Sequence, residues 1–417
     1  MRVDIRDYGA KGDAKTLNTK AIQKAIDKCF EAGGGRVEVS GGVYMTGTII
    51  LKDNVDLHID ETGKLLMSPD PKDFAERDNV RHVVSDLLAR HKNSCMIFAE
   101  ESKNISITGR GSIDCNGEMF LKKAENSWMP YERIGEDTPS RVVFFTGCEN
   151  VNVTDINMIN QPGGWTFWVH DCDWVSFDRV KINACIDYPN NDGIHINSSR
   201  NVTVSNCIIN SGDDCLIIRA NNSSLEENKV CEKVTVTNCT LSSNCSGIRV
   251  GWIKDGIIRN CSFSNLVVTD TSIGISITLP GRGKERLADE GREYTFIENI
   301  LFNNIMMDRI YVCPLDIKIE DNPVTFCKGI QNLYFSNVHT RGLTLPYLKG
   351  RVDCPIKNVV FSDCSFEKSK INPVDDKRSK DVRIGHPNEN ELVRNSVYME
   401  HTEGVTFNNV AFTVRES

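Results

Sequence analysis

The stretch NVTVSNCII (Asn201–Ile209) alternates apolar and polar residues, turns at Asn206 and begins a second short apolar run. Alternation with a period of two marks a strand, and Asn is a favoured turn residue because it tolerates a left-handed backbone. The same phrase recurs: NVNVTDINM from Asn150, WVSFDRVKI from Trp174, KVTVTNCTL from Lys233 and GIIRNCSF from Gly256. It continues as NILFNNIMM from Asn299, NLYFSNVHT from Asn332, NVVFSDCSF from Asn358 and GVTFNNVAF from Gly404. The shortest intervals are about 22 to 27 residues, with longer ones where segments are inserted. A unit this small cannot bury its own apolar face, so successive units must stack.

Stacked coils of short, β-branched strands predict an all-β chain folded as a single-stranded parallel β-helix, one domain over residues 1–417. A helical solenoid needs longer segments with 3.6 periodicity, and a propeller needs four strands per repeat of roughly 40–45 residues. The helix signal is confined to NTKAIQKAIDKCFEAGGG (Asn18–Gly35). There Ala21, Ile22, Ala25, Ile26, Cys29 and Phe30 make one apolar face, and the glycines stop the helix. A helix at this position is expected to cap the first coil.

The chain has a net charge of −8, which argues against a nucleic-acid surface, and no apolar run reaches the length of a membrane span. The start, MRVDIRDYGAKGD, lacks the apolar core of a secretion signal. Among 16 cysteines none forms a CxxC pair, and Cys185, Cys207, Cys239, Cys261 and Cys364 recur in one place per repeat, as buried thiols would. Together with sequons at Asn104, Asn201 and Asn238, these thiols point to a reducing cytoplasm and to no metal centre or cofactor.

Two phrases carry chemistry. NNDGIHI (Asn190–Ile196) and SGDDCLIIR (Ser211–Arg219) align with Asp192 and Asp214 22 residues apart, one short coil. Strands on adjacent coils lie about 4.8 Å apart, so Asp192 is expected beside Asp214, with Asp213 at the strand entrance. Carboxylates that close cannot all ionise freely, and one raised pKa suits a general acid. Turn formation and Ca²⁺ binding are the other uses of such a cluster.

The chain resembles glycoside hydrolase family 28, the polygalacturonase family of pectin lyase-like β-helices, almost end to end. The resemblance is carried by DYGAKGDAKTLNTKAIQKAID, GGGRVEVSGGVYMTGTIILKDNVDLHID, PGGWTFWVHDC, NNDGIHI, SGDDCLIIRANN, SGIRVGW and PGRG. It implies a right-handed helix and an inverting glycosidase. By it, Asp192 matches the aspartate of the family's Asn-Thr-Asp motif, with Asn191 in the Thr position, and Asp213 and Asp214 match the Asp-Asp pair. It implies Asp213 as general acid, with Asp192 and Asp214 activating water, in the inverting arrangement that leaves room for that water.

Two family elements are replaced. Ser246 stands at the histidine of the Gly-His-Gly motif, and Ser276 and Thr278 stand at the basic positions of Arg-Ile-Lys, which engage the sugar carboxylate in the family. Coil alignment puts His195, Ile217, Arg249 and Ser276 in one column and Arg219 in the column of Thr278. A relocated cationic pocket of His195, Arg219 and Arg249 is therefore expected to bind substrate, with Ser246 and the loop residue Arg282 as further contacts. Trp128 and Tyr131 are loop candidates; Trp165 and Trp168 are candidates for stacking on sugars or for the core. The expected activity is exo-acting hydrolysis of pectin-derived or related oligosaccharides in the cytoplasm. A different, neutral linkage, a β-helix lyase and a non-catalytic binding protein are the alternatives. An open solenoid flank would also permit a homo-oligomer.

Overall fold

The structure, a computed structural model, describes residues 1–74, 94–125, 130–135, 138–252, 255–279, 295–320, 327–370 and 395–415. They fall into two compact units, one of Met1–His195 with Ser199–Gly212, the other of Ile196–Ser198 with Asp213–Ser417. The fold in each is that of a parallel β-helix, as the repeat predicts.

In the first unit three parallel sheets recur coil by coil. Cys95–Glu100, Arg141–Thr146 and Trp165–His170 pair in one; Lys103–Thr108, Glu149–Thr154, Asp173–Asp178 and Arg200–Ser205 in the next. Ser112–Asp114, Asn157–Ile159, Lys181–Asn183 and Ile208–Ser211 form the third. The helix Thr19–Glu31 buries Ile22, Ala25, Ile26 and Cys29 against the first strands, and Gly33, at φ +86°, ends it. Phe30 departs from the expected face. It is 42% exposed, with Lys52 Nζ 5.3 Å from its ring centre. The last turn rotates it away from the sheet, so the buried stripe is one residue narrower than the sequence suggests.

In the second unit the strands lengthen. Ile257–Leu279 and Thr295–Ile319 pair along their length, from Ile257↔Phe296 to Leu279↔Ile319, with one register shift between Thr271 and Ile273. Equivalent positions stack in files. Phe263, Phe302, Phe335, Phe361 and Phe407 place successive ring centres 4.9–5.1 Å apart at 6–14°. Deleting one buried ring of such a file is expected to cost about 3–5 kcal/mol.

The turns explain the recurring asparagines. Asn104, Asn150, Asn260, Asn299, Asn332 and Asn358 all have φ between +53° and +58°, a region that Asn enters at low cost. Their amides then bond along the solenoid: Asn150 donates to Asn104 (2.7 Å) in the first unit, and Asn332 to Asn299 (3.0 Å) in the second. Of the repeated cysteines Cys207, Cys239, Cys261 and Cys364 are buried, whereas Cys185 is only partly buried; none is bridged. Cys172, Cys207, Cys239, Cys261 and Cys364 each direct Sγ at the carbonyl two residues earlier, at 3.2–3.3 Å.

Candidate active site

In the first unit, the loop before Asp192 is fastened by Asn191. Its amide donates to the Cys185 carbonyl (2.6 Å), and its Oδ1 accepts the Gly212 N–H (2.8 Å). A Cβ on Gly212 would lie 2.6 Å from Asn191 Oδ1 and 2.8 Å from two carbonyl oxygens, which is why SGDD carries glycine there. The Asp192 carbonyl accepts the Thr166 N–H (2.9 Å), holding the aspartate to the strand Trp165–His170. Asp192 is 4% exposed, and its Oδ2 lies 2.9 Å from His195 Nε2. The His195 ring stacks on Trp165 at 4.1 Å between centres, and Trp165 lies 4.8 Å from Trp168. Arg141, which the sequence reading passed over, sits fully buried over the rings of Trp165, Trp168 and Phe144 at 4.9, 5.3 and 5.4 Å. Its Nη1 donates to Ser140 Oγ at 2.7 Å. Burial pushes the Arg141 pKa down to about 10.

In the second unit, Asp213 is half-buried and Asp214 buried. The Asp213 carbonyl accepts from Ser243 Oγ at 2.5 Å, and its Oδ1 accepts the Asp214 N–H at 3.0 Å. Asp214 is gripped more firmly. Its Oδ1 accepts the Ser246 N–H (2.9 Å) and Arg249 Nη2 (3.2 Å), and its Oδ2 accepts Arg249 Nε. Burial alone would raise the Asp214 pKa, but the charge and hydrogen bonds of Arg249, with the bond at Ser246, hold it below the usual carboxylate range. Arg249 is raised in turn: Asp214 outweighs the opposing effect of burial. The Arg249 guanidinium also stacks over Trp252 at 4.5 Å. Ser246, expected to touch substrate, contributes its backbone N–H to Asp214, and its hydroxyl lies 3.3 Å from Arg249 Nη2.

The column alignment holds in this unit: Ile217 pairs with Arg249, and Arg249 with Ser276. The expected pocket cations are each engaged by a carboxylate of the chain. His195 is on Asp192, Arg249 on Asp214, and Arg219 Nε on both oxygens of Asp255 at 3.0 and 2.8 Å. Burial raises the Asp255 pKa in spite of Arg219. Ser276 and Thr278 bond to each other at 2.9 Å. One coil on, Asp316 and Lys318 occupy their columns, followed by Tyr347 and Lys349. Lys318 Nζ lies 3.6 Å from Asp316 and 3.3 Å from Glu320. Burial lifts the Asp316 pKa to about 6 against the pull of Lys318 and Arg249. The phrase DIK in PLDIKIE was the available signal for this pair. Arg282 and Trp128 lie outside the described residues. Tyr131 sits on a small antiparallel hairpin, edge-on to Tyr188 at 5.0 Å.

Asp213, Asp214 and Cys245 bring one potential metal-ligand atom each within 4.8 Å of one another. Arg249 Nη2 already lies 3.2 Å from Asp214 Oδ1 and 3.5 Å from Cys245 Sγ, so a dication here would have to displace a guanidinium. The donor set fits an ion pair better than a metal.

A β-helix carrying an Asp-Asp pair at a strand entrance defines a class, and comparison with known proteins narrows it. The sequence profile of glycosyl hydrolases family 28 matches residues 83–384, and the chain belongs to that family. It is similar to an exo-poly-alpha-D-galacturonosidase of Dickeya chrysanthemi, 29% identical over 253 residues that cover 51% of this chain and 41% of that protein. The chain thus spans about two-fifths of that relative's length. The solved structure of a hyperthermoactive exopolygalacturonase from Thermotoga maritima superposes with a TM-score of 0.72 at 20% identity, covering 98% of this chain and 92% of that one. A family 28 exopolygalacturonase from Yersinia enterocolitica gives 0.71 at 19%, covering 100% and 78%. The right-handed parallel β-helix is the fold they share.

Proposed function

We propose that the protein is an inverting, exo-acting glycoside hydrolase of galacturonate-containing oligosaccharides. The observation that carries this reading is the unequal treatment of neighbouring carboxylates. Asp214 is pinned as an anion by Arg249 and the Ser246 amide, while Asp213 is half-buried beside it. A carboxylate held as an anion suits the base, which leaves its neighbour for the acid. In this reading Asp213 protonates the leaving glycosidic oxygen. Asp214 takes a proton from the water whose oxygen attacks the anomeric carbon, and Asp192 has the water-holding role that the family resemblance gives it. Asn191 and Gly212 serve as positioning residues for the segments that carry the aspartates. The relatives' names support galacturonan as the substrate class and removal of terminal sugars as the mode. A cytoplasmic setting belongs to the same proposal, supported by 16 cysteines without a disulfide.

The test is real-time proton NMR of digalacturonate and trigalacturonate with wild type and Asp213→Asn. Release of terminal galacturonate with inverted configuration, lost in the variant by about 10³-fold or more, is the expected result. An unsaturated product would instead make the protein a lyase. Turnover that survives Asp213→Asn would remove Asp213 from the chemistry.

A further inference from the structure

In the second unit two thiols face each other. Cys354 Sγ lies 2.7 Å from Cys327 Sγ, 27 positions away along the chain, and the two are unbridged. Both stand where adjacent strands begin: Cys327 opens Cys327–Gly342, and Cys354 precedes Ile356–Ser362 by two residues. Those strands pair in parallel from Ile330↔Ile356, so the stacking of coils sets the approach. A tight turn holds Cys354. Arg351 and Cys354 exchange two backbone hydrogen bonds of 3.1 Å, and Arg351 donates to Asp353 from Nε (2.8 Å) and Nη2 (2.9 Å). Cys327 is half-buried, which makes the pair reachable from solvent, while Cys354 is 6% exposed. The thiols of the repeat differ: those of Cys261 and Cys364 point at carbonyls, and burial raises them. The Cys327 thiol instead holds Cys354 below the usual thiol range, aided by the charges of Arg351 and Lys357 against burial and Asp353. Cys327 is pushed up, first by its bond to Cys354 and then by burial. A thiolate beside a thiol is the arrangement that disulfide exchange uses, an attacking sulfur next to a resolving one.

We propose that Cys327 and Cys354 form a reversible redox site, closed into an intramolecular disulfide by low-molecular-weight disulfides. The inference goes beyond the glycosidase reading and does not depend on it. The Cys354 thiolate attacks one sulfur of the disulfide RSSR. The S–S bond of RSSR breaks, and the departing RS⁻ takes up the proton that Cys354 gave up. Cys327 then loses its proton and attacks Cys354 Sγ in the mixed disulfide, expelling a second RS⁻ that takes up that proton. The two cysteines together lose two electrons, RSSR gains them, and two RSH result. The sulfurs already touch, so closure needs a side-chain adjustment and no movement of the coils. The new bond closes a covalent ring around one coil, from Cys327 through the strand Tyr347–Lys349 to Cys354. Such a ring stabilises the coil by restricting the unfolded chain. In a reducing setting the site rests as two thiols, and oxidation locks that coil shut.

The experiment incubates the full, reduced chain with graded ratios of oxidised to reduced glutathione, then quenches with acid and analyses the peptides by mass. Wild type is expected to yield a linked Cys327–Cys354 peptide pair, lighter by two hydrogens than the separate peptides, that excess reduced glutathione reopens. The linked form is expected to melt about 2–5 °C higher, the range for closing a ring of this size in a chain of this length. Cys327→Ser is expected to stop at glutathione carried on Cys354, and Cys354→Ser to leave Cys327 unmodified. Absence of the linked pair at every ratio overturns the proposal. So does a pair that reduced glutathione does not reopen, since that is a permanent cross-link. Glutathione captured by Cys327 in Cys354→Ser as readily as by Cys354 in Cys327→Ser overturns the assignment of the attacking sulfur. These readouts are independent of turnover, and loss of hydrolysis in Asp213→Asn judges the glycosidase reading alone.

Discussion

Two arginines, buried to 1% and 8% exposure, are treated in opposite ways. Arg249 meets Asp214 through two hydrogen bonds, and the pairing raises its pKa while lowering that of the aspartate. Arg141 lies among three aromatic rings with Ser140 at its Nη1, and burial pulls its pKa down. Residue type and depth are alike, so the neighbours decide. A guanidinium answered by a carboxylate of its own chain fixes that carboxylate's charge. One packed against π faces gains cation–π attraction there, and its burial still draws its pKa down.

The contrast can be broken most directly at Asp214. Asp214→Asn leaves Arg249 buried without its counter-charge, with an expected loss of about 3–5 kcal/mol in urea unfolding and about 10³-fold in kcat. If the variant is as stable as wild type, Arg249 is not committed in the way described. Arg249→Met probes the reverse side. Asp214 then keeps the burial that raises its pKa and loses the cation that lowers it, so the acid limb of the kcat/KM profile moves to higher pH. In wild type this depressed carboxylate contributes stability above the ordinary carboxylate pKa. That contribution is lost as pH falls through the lower, folded value.

Asp316 is the intermediate case, a buried carboxylate whose cation stands 3.6 Å away. Its pKa of about 6 lies above the unfolded value of 3.8, so it stays protonated in the fold while the unfolded chain ionises. Stability therefore falls between about pH 4 and 6, by roughly 2–3 kcal/mol, and then levels off. Asp316→Asn is expected to match wild type at pH 4 and to exceed it at pH 7 in the same unfolding assay. A variant with the wild-type pH slope would place the titration elsewhere. The smallest effect belongs to the turns. Asn304, at φ +54° and bonded to both Asn265 and Asn337, is expected to lose about 1–2 kcal/mol on change to Val and less on change to Gly. Turnover should be unchanged in both, which sets the stability losses at the buried charges apart from general loosening of the coils.

Most of the architecture was legible because a solenoid writes its geometry in sequence offsets. The alternating phrases gave the strands, and the asparagines gave the turns. The offset from Ile217 to Arg249 to Ser276 gave a true column. Arg249 was singled out correctly by position but not by partner: alignment locates a side chain along a column and says nothing about which neighbour it turns to. Arg141 was invisible for a different reason. It opens its strand beside Ser140, and its environment is built by Trp165 and Trp168 of the following coil, which nothing in its own stretch announces. Phe30 shows the limit at the other extreme, since a helical face drawn from spacing cannot tell where the underlying sheet ends.

The cysteine file has a practical consequence. Each of these thiols is shielded, and burial lifts that of Cys261 to about 12 and that of Cys172 well above its usual range, so neither alkylating reagents nor oxidants find a thiolate in the closed coil. Buried thiols in several different coils are thus a set of clocks. Timed alkylation followed by peptide mass analysis would report how often each rung of the solenoid opens, and whether it frays from its ends or breathes in the middle.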